Sequence, residues 1–159
     1  MQYIYNDGGR KAAGYKGEAD DCLVRAVTIA AELPYAEVYK ALNESAQAEK
    51  YRRGKVGLHY ALGLGSSART GVLKDTANQF LRSLGWIWHP TMLIGQGCKV
   101  HLRYGELPPG RLIVKVSKHF VAVLDGVIHD THDCSRDGTR CVYGYWTPPT
   151  SGQNTPISR

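Results

Sequence analysis

From Leu23 onward the apolar residues Leu23, Val27, Ile29 and Ala30 recur at close to helical spacing, and Asp20 or Asp21 stands where an N-cap is needed. The pattern predicts a first helix that ends near Leu33-Pro34. Pro34 then opens a second, on which Tyr35, Val38, Tyr39 and Leu42 return at three and four residues and share one face to about Lys50. Between Tyr51 and Gly71 five glycines and Ser66-Ser67 erase any period, so a long loop is expected, with a helical turn near Leu58 to Leu62. A third helix, capped by Thr70 or Asp75, carries Val72, Leu73, Ala77, Phe80, Leu81 and Leu84. Gly85 is placed to stop it in a left-handed conformation.

Beyond Gly85 the pattern turns extended. Trp86 to His89, Lys99 to Leu102, Arg111 to Val116, His119 to Leu124, Gly126 to Asp130 and Cys141 to Trp146 are short β-favouring runs. Turn formers such as Pro108-Pro109-Gly110, Asp125-Gly126 and Asp137-Gly138 separate several of them. Trp86 and Trp88 alternate along their run and are expected to share a face as core or cleft wall. Helices first and a meandering sheet last define an α+β domain with an antiparallel sheet, the first helix setting its N-terminus against the sheet's open edge. The closing segment from Thr147 is polar and proline-rich and reads as a flexible tail over 147–159.

Composition narrows the class. A chain of 159 residues, 43% hydrophobic, holds enough apolar side chain for one buried core. Its net charge of +6 and pI near 9.2 lean towards anionic partners without forming a basic tail. The longest apolar stretches fall far short of the roughly 18 residues of a membrane helix, and residues 1–7 lack a signal peptide's apolar core. The expectation is a cytoplasmic protein with no membrane contact. Its four cysteines are too few for a disulfide scaffold, and a reducing compartment would keep them as thiols.

The candidate chemistry begins with Cys22. In Gly17-Glu18-Ala19-Asp20-Asp21-Cys22 it falls where loop becomes helix, facing the unpaired N–H groups and positive dipole end that favour a thiolate. His119 opens the apolar run Phe120 to Leu124, and Asp130 closes the following strand. Even spacing puts Asp130 on the same face as Ile128, with His129 on the other. Asp133 or Asp125 are the alternatives for an orienting carboxylate.

Other constellations compete. His129, His132, Cys134 and Cys141 offer two imidazoles and two thiolates, a ligand set that zinc accepts, although the spacing fits no standard finger. Cys134 and Cys141 more simply flank a hairpin around Asp137-Gly138, and would pair as a disulfide in an exported protein. Gly63 to Gly71 has the glycines of a phosphate loop but lacks the Gly-Lys-Ser/Thr ending and a preceding strand. Around it Arg52, Arg53, Lys55, Arg69 and Lys74, interleaved with Tyr51 and Tyr60, make a basic loop over 52–74 that offers weak nucleic-acid contact.

The two blocks around Cys22 and His119-Phe120-Val121-Ala122-Val123, with Gly126 to Thr131 behind them, resemble papain-like cysteine peptidases of the small bacterial and phage type close to the C39-like group. They cover about a third of the chain. The resemblance implies one papain-like domain over 1–146, with Cys22 as nucleophile, His119 as general base and acid, and Asp130 orienting the imidazole. It implies a protein or peptide substrate, a thioester intermediate and no cofactor or metal. In that family a glutamine shortly before the cysteine commonly completes the oxyanion hole, and here none lies between Gln2 and Cys22. Lys16, the Asn6 amide or the backbone alone are the substitutes. A catalytically weak or silent member of the same fold, acting as a nucleic-acid-binding protein or a phage virion or interaction protein, is the alternative function.

Overall fold

A computed structural model describes residues 1–50 and 66–150 of the chain. The expected helical turn near Leu58, most of the basic loop and the last nine residues of the tail lie outside the described residues.

Three helices precede most of the sheet. Helix α1 spans Cys22–Ala31, α2 Tyr35–Lys50 and α3 Lys74–Ser83. Strand β1, Gln2–Tyr5, comes before them; β2 is Ile87–Pro90, β3 Arg111–Val116, β4 His119–Leu124, β5 Val127–Asp130 and β6 Val142–Thr147. The six strands form one sheet in the order β1-β5-β4-β3-β6-β2. All neighbours are antiparallel except β1 and β5, which run parallel. The sheet is therefore mixed, a correction to the antiparallel expectation. Gln2 to Tyr5 is too short and too solvent-facing for its pattern to announce a strand, and only its partner β5 creates it.

The α+β class holds, with the helices on one face. Alternation along the central strands divides the apolar side chains cleanly. Ile113, Phe120, Ala122 and Trp146 join α1, α2 and α3 in the larger core. Leu112, Val114, Val116, Val121, Val123 and Ile128 pack on the other face beneath Leu102, Cys134 and Val142. Helix α1 lies across β4 and β3, in the middle of the sheet rather than at an open edge. Its start still reaches the beginning of β4.

Local signals were met unevenly. Asp21 occupies the N-cap of α1, yet its carboxylate makes no capping bond, because Arg25, Tyr35 and Arg10 take it instead. Leu73, rather than Thr70 or Asp75, precedes α3; Asp75 sits in its first turn, where a negative charge suits the dipole. Gly85 does adopt the left-handed conformation after α3, at φ +80°. The run Lys99 to Leu102 forms no strand and makes only a single bridge, His101 with Cys141. Trp86 lies just before β2 and is buried, while Trp88 is half-buried against the same core. Cys141 bonds to Cys98 rather than to Cys134, pinning the 98–102 segment to the start of β6. Cys22 and Cys134 are free thiols.

Candidate active site

Cys22 is the first residue of α1 and faces the start of β4, where the two-residue turn Ser117-Lys118 delivers His119. Lys118 has φ +55°, an uncommon value for a side chain with a Cβ, and it lets the β3–β4 hairpin close immediately before the histidine. β5 pairs beside β4, and its last residue is Asp130. An early helix and two consecutive later strands thus bring Cys22, His119 and Asp130 together.

His119 Nε2 donates to Asp130 Oδ2 at 2.5 Å. Asp130 is 3% exposed, and its Oδ1 accepts from the Thr131 backbone N–H at 2.7 Å and from Arg25 Nη2 at 3.3 Å. Burial opposes the Asp130 carboxylate, but bonding to His119, the Thr131 N–H and the Arg25 charge hold its pKa below the ordinary value. For His119 burial likewise opposes the charged form. Hydrogen bonds to Asp130, Cys134 and Cys22 outweigh it and raise the imidazolium pKa to about 11. Burial would raise the thiol of Cys22 too, yet the bond and charge of His119, the Phe120 backbone N–H and the charge of Arg25 bring it down. A thiolate and an imidazolium stabilise each other here.

Behind the triad lies a buried polar network that the sequence did not announce. Arg25, one turn into α1, pairs with Asp21 as well as with Asp130. Tyr35 donates its hydroxyl to Asp21 Oδ2 at 2.5 Å, and Arg10 Nε approaches the same oxygen at 3.2 Å. Arg25 had a legible signal: it is the one cation in the apolar stretch Leu23 to Ala31. A charge at a core position needs a buried partner.

The alternative carboxylates are occupied elsewhere. Asp125 accepts from the Gly110 N–H, and Asp133 from the Ser135 N–H. Neither substitute for the family's glutamine is turned to the thiol: the Asn6 amide faces His129 and the Gly8 N–H, and Lys16 is not among the residues lining the cleft. The first-turn N–H groups of α1 remain as donors for an oxyanion.

The proposed zinc set is not assembled, because Cys141 is in the disulfide and His129 points to Asn6 across the strand. A different trio, His119, Asp130 and His132, places its ligand atoms within 4.8 Å of one another, with the His132 ring 5.3 Å from that of His119. In it His119 and Asp130 already satisfy each other. The thiol and imidazole open onto a cleft of about 640 Å³ whose walls include Ala19, Asp20, Thr70, Gly71 and His132.

No known protein family, curated protein or solved structure matches the chain. Among the described residues no helix is long and apolar enough to cross a membrane.

Proposed function

We propose that the chain is a papain-like thiol hydrolase that cleaves a peptide or isopeptide bond, with Cys22, His119 and Asp130 as its triad. One observation supports the reading: a thiol at a helix start shares a cleft with an imidazole that bonds a buried carboxylate, with the thiol pKa lowered and the imidazole pKa raised. The Cys22 thiolate attacks the carbonyl carbon and pushes its π electrons onto oxygen, where α1 N–H groups receive the charge. As the tetrahedral intermediate collapses, the C–N bond breaks and the imidazolium of His119 gives its proton to the leaving amine. Acylation has by then removed the thiolate charge that held this proton, so the imidazolium is a stronger acid than in the free site. Water attacks the thioester as His119 takes its proton, and the second tetrahedral intermediate collapses with the C–S bond breaking and its electron pair leaving on sulfur. The products are a carboxylic acid and the regenerated thiolate–imidazolium pair.

The absence of a glutamine donor favours one other reading, a silent member of the fold that binds an anionic partner. Alkylation separates the two. In the hydrolase, iodoacetamide modifies Cys22 well below pH 8.5, faster than Cys134, and the advantage disappears in His119→Ala. A Cys22 that is inert or indifferent to His119 overturns the proposal, and salt-sensitive retention of polynucleotide would then support the binder.

A further inference from the structure

A second cavity, of about 520 Å³, adjoins the catalytic cleft, and Val72, Lys115 and Phe120 line both. Phe120 directly follows His119, so the two spaces form one groove running away from the reacting atoms. The far part is walled by Trp88, Tyr143 and Trp146, with Lys74 and Arg82 on α3. Its charge is one-sided: three cations line it, and no aspartate or glutamate does among the described residues. Lys74, Arg82 and Lys115 have no carboxylate partner among those residues either, whereas Arg25, Arg103 and Arg111 all do.

Lys115 is the informative member. It occupies a position on β3 that shares its face with Ile113, which is fully buried, and pairs across to Phe120. A lysine at a core-face position costs desolvation unless an anion meets it. Here its ammonium rests 4.1 Å from the Phe120 ring centroid, a contact that stabilises the cation without neutralising it. Burial and nearby Lys74 lower its pKa, and the thiolate of Cys22 partly restores it. The fold retains a half-buried, carboxylate-free cation beside the nucleophile.

Resting on the hydrolase reading, we propose that this groove selects substrates carrying an acidic side chain on one side of the scissile bond, its carboxylate pairing with Lys115 between Lys74 and Arg82. The aromatic walls cover the side chain's methylene groups and exclude water, which strengthens the ion pair. A neutral isostere leaves Lys115 desolvated and unpaired, so glutamine and asparagine are poor replacements.

The test is digestion of a proteome-derived peptide library, with cut sites mapped by mass spectrometry, using wild type, Cys22→Ala, Lys115→Met and the surface double variant Lys74→Ala/Arg82→Ala. Wild type is expected to enrich Glu or Asp about tenfold over Gln or Asn at one fixed position relative to the cut. Lys115→Met should abolish that enrichment and the double variant should reduce it; the latter alters only exposed side chains and remains informative should Lys115→Met fail to fold. Cuts that depend on Cys22 but show no acidic preference overturn the subsite and leave the hydrolase standing. An absence of Cys22-dependent cuts overturns both.

Discussion

The Arg25 guanidinium lies 3.3 Å from the Asp130 carboxylate, 105 residues away in sequence, while its other arm holds Asp21 at the cap of its own helix. This buried bridge ties α1, which begins at Cys22, to β5, which ends at Asp130. Removing it takes one of two cations from each buried carboxylate, leaving Asp21 with Arg10 and Asp130 with His119. Arg25→Met is therefore expected to destabilise the protein by about 3 kcal/mol in urea unfolding. Arg25→Lys keeps the charge but cannot fork to both acids, so it should retain more stability while slowing alkylation of Cys22.

Asp130→Asn probes the same carboxylate from the catalytic side. Losing the charge removes the main force that raises His119 towards pKa 11, and the thiolate loses part of its counter-ion. Alkylation of Cys22 at pH 6 should fall by about tenfold or more, since each pKa unit of thiol is a tenfold change in thiolate. A rate equal to wild type would place the orienting role elsewhere.

The pH dependence follows from the signs of these shifts. Alkylation should rise as pH climbs through the lowered pKa of Cys22 and hold a plateau until the imidazolium is lost near the His119 value of about 11. Asp130 has a folded pKa below its unfolded value, so the stability it contributes is present above about pH 4 and disappears as pH falls through the folded value. Acid unfolding monitored by circular dichroism should show this limb in wild type and lack it in Asp130→Asn.

The groove wall depends on one close approach. A Cβ at Gly144 would lie 2.3 Å from the Trp88 ring and 2.7 Å from the His89 carbonyl oxygen. Gly144→Ala must push β2 away from β6, with a stability loss of about 1–3 kcal/mol. Trp88 fluorescence should shift to the red, while Cys22 keeps its alkylation rate because Cys22, His119 and Asp130 lie on α1, β4 and β5.

The Cys98–Cys141 bond closes a loop with a sequence separation of 43 and contributes about 4 kcal/mol if the effect is loss of chain entropy in the unfolded state. Dithiothreitol should lower the melting temperature of wild type and leave Cys98→Ser/Cys141→Ser unchanged. Neither residue touches the thiol or imidazole, so Cys22 reactivity is expected to survive reduction.

The helices, and the placing of Cys22 at a helix start with His119 and Asp130 on neighbouring strands, were legible because their signals are local: an apolar period, a histidine before five apolar residues, and a carboxylate at an even position in a short strand. What escaped the sequence depends on partners far along the chain. β1 exists only because β5 offers an edge, and Cys141 is captured by Cys98 because the 98–102 segment is laid against β6. Lys115 and Arg25 occupy an intermediate case. Each is a charge at an apolar position, visible as an anomaly, but the compensating group is not written nearby.

The parallel pairing of β1 with β5 joins the first residues to a strand near the end, and Asn6 extends it by donating its N–H to the Asp130 carbonyl. Closing so long a loop is entropically slow, and it waits on most of the polypeptide. During synthesis Cys22 leaves the ribosome long before His119, as an ordinary thiol in an unfinished helix. The groups that lower its pKa, His119 and the Phe120 N–H, reach it only when the hairpin has docked, so on the proposed function the nascent chain carries an unactivated thiol.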